Sequence, residues 1–435
     1  MTTSYQQTLV ATPDIETATN NRAYTGYVLA ILGLISFFNY ADRMVLSILL
    51  QPIKTDLGLS DTQLGLLSGL AFALFYGSLG IPLARLADRK SRVVLLTGAI
   101  TVWSLMTALC GLVQNFVQLL LARIGVGVGE AGCVPASHSM VGDYFPKERR
   151  AFAIGILQAS GSLGVILGLM AAGAIADQWG WRWAFVLVGL PGIAVGLVTY
   201  LTVREPTRGG LETTVTASTT PINWRQAVTT LFSRSTYVHL VIALSLGTFT
   251  LYGIMQWVPT FLVRSHGLSL TEVGTLVGMA GIGGLIGVIA GSLLAPTLIA
   301  RDARWELWLP ALAFAASVPF YVMVFILASP VSAIWALFAA GFVAAFGTGP
   351  GLASIQAVSE PNLRATAVAI VMFSSALFGQ GAGPFLVGLL SDGLMPTYGE
   401  GLALRIALIC STLLIFWAAL HFVLAARTLR RERVN

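Results

Sequence analysis

Charge is scarce in this chain of 435 residues: Asp, Glu, Lys and Arg together make up 10% of it. An ordinary soluble domain carries about 25%. With 56% hydrophobic residues and a mean hydropathy of +0.81, the chain reads as an integral membrane protein. Lysine is nearly absent, at Lys54, Lys90 and Lys147, and no Gly-x-x-x-x-Gly-Lys phosphate loop occurs, so ATP is not the energy source. The three cysteines, Cys110, Cys133 and Cys410, sit in apolar runs and form no disulfide framework. His138, His239, His266 and His421 are far apart and lack metal-ligand spacing, so neither a metal nor a cofactor is expected. No Ser or Cys has an evident base, which argues against an enzyme. The net charge of +6 is scattered among short loops, which does not suit a nucleic-acid partner. The first two dozen residues are polar, with no basic segment leading into a short apolar core, so no cleavable signal peptide is expected.

What is present is a series of apolar runs of spanning length, at 24–52, 61–84, 93–112, 116–145, 150–176, 182–203, 236–263, 270–299, 305–328, 331–358, 365–390 and 401–426. They are too long for barrel strands and show no period-two alternation, so an all-α fold of twelve transmembrane helices is expected. Lys and Arg gather on one side: Arg85 to Arg92, Lys147 to Arg150, Arg204 to Arg234, Arg301, Arg304, Arg364 and the tail. The positive-inside rule then puts both termini in the cytoplasm. The runs divide into a cytoplasmic tail at 1–23, a six-helix bundle at 24–203, a linker at 204–235, a second bundle at 236–426 and a basic tail at 427–435.

The halves repeat. Gly58, Ser60, Thr62, Gly65 and Gly69 recur as Gly267, Ser269, Thr271, Gly274 and Gly278, and Pro146, Arg149, Gly164, Gly168 and Asp177 recur as Pro361, Arg364, Gly379, Gly383 and Asp392. Duplicated bundles of one orientation belong to transporters that rock about a central site, each chain being complete as a monomer. A channel would draw its pore from several subunits, and a receptor would bind without moving its ligand.

FFNYADRMVL, Phe37 to Leu46, places Asp42 beside Arg43 inside the first apolar run. A charge at mid-membrane costs about 2.5–3.5 kcal/mol on insertion scales, so two in succession suggest a task. In the fourth run, Arg123 and Glu130 are seven residues apart and share one helix face, about 10 Å apart along the axis. The expected pairs are Asp42 with Arg123 and Arg43 with Glu130. The second half has no charge at mid-depth and few hydrogen-bonding groups, among them Thr248, Tyr252, Gln256 and Gln380. A sugar acid needs many converging polar groups, whereas an amphipathic lipid needs one charged wall and one apolar wall. Burial favours the protonated form of an acid and a nearby Arg the ionised form, so a carboxylate at such a site can carry a proton.

GIPLARLADRKSRVVLL, after the second run, resembles the signature loop of the major facilitator superfamily, Gly-x-x-x-Asp-Arg-x-Gly-Arg-Arg. Asp88, Arg89 and Arg92 match, while Ala84, Ser91 and Val93 depart. The resemblance implies a cytoplasmic gate of Asp88, Arg89, Arg92 and Arg149, with membrane lipid phosphates as further partners. NYADRMVL, RIGVGVGEAGCVPA and DYFPKERRAFAIGI further resemble the Spinster transporters of lysophospholipids and sphingoid lipids. That likeness implies a bacterial-type member of the inner membrane. It also implies a polar cavity site at Asp42, Arg43 and Glu130, with Glu130 the proton-sensing group; Asn39, Tyr40, Arg123, Tyr252 and Gln256 complete the expected substrate and proton site. Proton symporters of sugar acids carry the same charged constellation, so a small organic anion is the alternative substrate.

Overall fold

The computed structural model describes residues 22–208 and 224–434, the side chains of Ile81 and Asp88 excepted. Most of the expected N-terminal tail and the centre of the linker therefore lie outside the described residues. The helices are α1 (Arg22–Leu57), α2 (Asp61–Ala87), α3 (Arg92–Cys110), α4 (Phe116–Tyr144), α5 (Lys147–Trp179) and α6 (Trp181–Thr202). After the short amphipathic helix Trp224–Phe232 come α7 (Ser235–His266), α8 (Leu270–Arg301), α9 (Trp305–Ile326) and α10 (Pro330–Ala357). The last helical stretch, Arg364–Glu432, is interrupted at Gly399, whose φ of 74° suits glycine alone. Divided there, it supplies α11 (364–398) and α12 (400–432), and twelve spans result. Helices run a few residues past the apolar cores because their ends reach polar surroundings.

Within the first six helices α1 packs on α5, and α3 on α4 and α6. Within the second six α8 and α9 pack on α10, and α7 on the final stretch. The two sets meet where α5 lies against α8 and where α2 lies against the start of α11. Close approach explains the glycine pattern. A Cβ on Gly168 would lie 2.9 Å from Ala41 Cα of α1, and one on Gly287 would lie 3.0 Å from Ala345 Cβ of α10. Such contacts supply the packing that holds helices together in lipid, where hydrophobicity does not.

At the α2–α11 seam each helix contains a π-turn, Leu66–Leu70 in one and Ser375–Gly381 in the other. An extra residue per turn re-aims the side chains beside it. Here it brings Ser68 and Gln380 to the central cavity.

Candidate functional site

Adjacent helical residues point about 100° apart, so Asp42 and Arg43 meet different neighbours. Arg43 Nε donates to Glu130 Oε2 at 2.6 Å, with Glu130 fully buried. The guanidinium lies 4.6 Å from the ring centre of Tyr76, 5.0 Å from Phe72 and 5.4 Å from Tyr40. Ring faces attract a desolvated cation, so Arg43 keeps its charge with a single carboxylate for company. Among the described residues, Arg43 Nη2 and Glu130 Oε1 have no hydrogen-bond partner. The pair thus retains a spare donor and a spare acceptor for a ligand or a proton.

The expected Asp42–Arg123 pair does not form. Thr107 of α3 donates to Asp42 Oδ2 at 3.3 Å, while Arg123 turns its guanidinium to within 5.6 Å of the Phe72 ring centre. Asp42 faces α3 and Arg123, two turns along α4 from Glu130, faces the cavity, so opposite charge on neighbouring helices did not make them a pair. Asn39 is buried, and neither its amide nitrogen nor its oxygen has a hydrogen-bond partner among the described residues.

Both halves line a central cavity of about 10 Å³, room for about one water. The first half gives Arg43, Ser68, Phe72 and Arg123, and the second gives Tyr252, Gln256 and Gln380. Gln256 Oε1, Gln380 Oε1 and two Arg123 nitrogens lack partners among the described residues. Phe72, Tyr76 and Ser68 were not expected, since an apolar run gives no sign of which aromatic rings will turn inward.

The face opposite the chain ends is closed by ion pairs between the halves. Arg264 of α7 grips Asp61 of α2 with two bonds of 2.7 and 2.8 Å. Lys54 Nζ adds a bond of 2.8 Å to Asp61, and Ser391 Oγ one of 2.7 Å. Glu400 lies 2.8 Å from Lys54 and 3.2 Å from Arg264. Two repeat-related caps flank this cluster. Asp177, at the end of α5, accepts from the Leu270 and Thr271 amides at 3.2 and 2.7 Å. Asp392, on α11, accepts from the Asp61 and Thr62 amides at 2.9 and 2.7 Å. Each half therefore caps a helix of the other. Asp177→Ala and Asp392→Ala are each expected to loosen this face by the worth of a cap, about 0.5–2 kcal/mol. Spin labels across the face should report longer separations in both variants, and more so in the double variant.

On the terminal face no ion pair joins the halves among the described residues. Arg92 bonds Glu205 at the start of the linker at 2.8 Å and pairs with Asp143 of its own half, while Arg89 and Arg149 are exposed. The Asp88 side chain lies outside the described residues. Burial works against ionised Glu205, yet the Val93 amide, Arg92 and Ser91 together hold its carboxyl below the usual range. An acid depressed in this way contributes its bonds above its ordinary titration range and loses them as pH falls through the depressed value. The tie therefore persists at neutral pH. His239 and His421, far apart in sequence, meet with their Nδ1 atoms 2.9 Å apart, against expectation. Among the described residues no three metal-ligating side chains gather.

Residues 32–384 match the Major Facilitator Superfamily. The chain is 32% identical over 406 residues to an MFS-type efflux pump of Mycolicibacterium smegmatis, covering 93% of each chain. It is 29% identical to a hexuronate transporter of Bacillus subtilis over 64% of this chain and 66% of that one. It is 26% identical to a sphingosine-1-phosphate transporter of Danio rerio over 92% of this chain and 84% of that one. A crystal structure of a bacterial homologue of the human lysosomal transporter Spinster, inward-facing and unoccupied, superposes with a TM-score of 0.87 at 30% identity. It covers 95% of this chain and 99% of that one. Twelve packed spans, a buried charge pair in the first bundle beside a cavity lined by both, and these likenesses agree: the chain belongs to the major facilitator superfamily, as a Spinster-like secondary transporter and not an enzyme.

Proposed function

We propose that the protein carries an amphipathic lipid with an anionic head, of lysophospholipid or sphingoid type, in exchange with or alongside a proton. The observation that carries this reading is the asymmetry of the cavity. Both of its charged lining residues, Arg43 and Arg123, come from the first half, as does Glu130 behind Arg43, and the second half offers only Tyr252, Gln256 and Gln380. Arg43 binds the head through its free Nη2, and the head's arrival competes with Glu130 for the guanidinium, which makes proton uptake by Glu130 easier. The halves 24–203 and 236–426 rock about this site as one monomer, with both chain ends in the cytoplasm and the protein in a bacterial inner membrane. The closed far face, and a terminal face with no ion pair between the halves among the described residues, suit an inward-open resting form.

Arg43→Ala tests the role of the cation. Arg is the strong partner of phosphate and carboxylate. Binding of a lysophosphatidic acid to purified protein is therefore expected to fall at least tenfold, while a neutral monoacylglycerol with the same tail keeps its affinity. Equal loss for both would reduce Arg43 to a structural ion-pair member and overturn the reading.

A second reading has its own support. The unpartnered Gln256, Gln380 and Arg123 groups could meet the hydroxyls and carboxylate of a sugar acid, and a hexuronate transporter is among the relatives. Proteoliposome uptake of a labelled hexuronate, without uptake of a lysophospholipid, would favour it.

A further inference from the structure

A groove of about 730 Å³ lies on the outer flank of the first half and shares no lining residue with the central cavity. One wall is Leu79, Leu83 and Leu86 of α2, and the other is Val94, Gly98 and Val102 of α3. Between them, Val128, Gly129 and Gly132 of α4 form the floor, and a Cβ on Gly132 would meet Leu83 at 3.5 Å. The only polar lining residues are Lys90 and Ser91, at the end of the groove on the terminal face. Its volume lies within the range of small-ligand pockets, about 300–1,000 Å³.

We propose that this groove seats an acyl chain of a membrane phospholipid, with the anionic head held at Lys90. Water is a poor occupant, because an ordered water needs two to four polar partners and these walls offer none. Val94 is 57% and Val102 41% exposed, so the groove opens sideways toward hydrocarbon along most of its length. The charge at its mouth matches an anionic head. Arg85, Arg89 and Lys90 are exposed there, and none of them has an ion-pair partner among the described residues. Glu205, beside Ser91, is already engaged by Arg92, Ser91 and the Val93 amide. Basic residues at the edge of a span are the usual counterpart of anionic lipid heads. Gly129 lines the groove and Glu130 faces Arg43, so the lipid sits across a single helix from the buried pair. The proposal does not depend on what the central cavity carries.

The test is native mass spectrometry of the full chain, titrated with phosphatidylglycerol and separately with phosphatidylcholine of the same acyl chains. A Cβ on Gly98 meets nothing within 4 Å, so Gly98→Leu fills the groove without displacing a neighbour. Wild-type protein should hold one phosphatidylglycerol more tightly than phosphatidylcholine. Gly98→Leu should weaken both by at least tenfold, and Lys90→Gln should weaken phosphatidylglycerol severalfold and leave phosphatidylcholine unchanged. Should Gly98→Leu fail to fold, Val102→Phe fills the same groove from an exposed position. Unaltered phosphatidylglycerol binding in the groove-filling variant would overturn the proposal. So would a photoreactive side chain at Val94 that cross-links to residues 1–21 or 209–223 of the chain instead of to lipid.

Discussion

Glu130→Gln is expected to abolish proton-driven accumulation while leaving the protein folded. In proteoliposomes, an imposed gradient of one pH unit is worth about 1.4 kcal/mol per proton, or about tenfold accumulation for one coupled proton. The variant should equilibrate its substrate and accumulate none. Gln keeps the shape of Glu and still offers an oxygen to Arg43 Nε, which bonds Glu130 at 2.6 Å. The charge of Arg43 then loses its counter-ion, but three aromatic rings remain around it, so the loss of stability is moderated. Substrate exchange without a gradient should persist. Accumulation with unchanged pH dependence in the variant would remove Glu130 as the coupling group.

The second large effect is expected at the closed face. Asp61 is fully buried and receives Arg264, Lys54 and Ser391 at once. Asp61→Ala would leave two cations close together with only Glu400 between them. Removing one partner of a buried pair costs about 3–5 kcal/mol, because the remaining charge has lost its compensation. Opening admits water and relieves that cost. The ratio of closed to open far faces should therefore drop by roughly 10²- to 10⁴-fold. Spin-label distances across this face should lengthen, and Asp61→Ala with Arg264→Leu should recover part of the closed population, as a coupled pair does. Unchanged distances in the single variant would mean that helix packing alone holds the face shut.

Hydropathy made the spans legible, since lipid leaves the backbone no alternative to helices. The Arg43–Glu130 contact was also legible, because two opposite charges at mid-depth have few other partners. Asp42 and Arg123 were not, because Arg123 lies two turns from the level of Glu130 and the sequence does not fix how α1 is rotated, and Thr107 on α3 claimed Asp42 instead. The repeat signals Thr62, Thr271, Asp177 and Asp392 stood out as matched sets. Their crosswise use, Asp177 with Thr271 and Asp392 with Thr62, follows only from the placing of one half against the other. Asp61 sits in the first turn of α2 beside the Ser60 cap, a common place for an acid, and nothing local marks it as the centre of a clamp. The rings around Arg43 were hidden for a related reason: in an apolar run every Phe and Tyr looks alike.

The four charges buried at and beside the central site have an electrical consequence. Asp42, Arg43, Arg123 and Glu130 are two acids and two bases, and when all are ionised their sum is zero. A membrane potential acts with about 2.3 kcal/mol per elementary charge per 100 mV. It therefore does no work on the residues of this site when the empty carrier turns over. Voltage sensitivity would come from the cargo alone. A monoanion travelling with one proton would be electroneutral. A phosphate head bearing two charges with one proton would move a net negative charge, and an inside-negative resting field would favour its export.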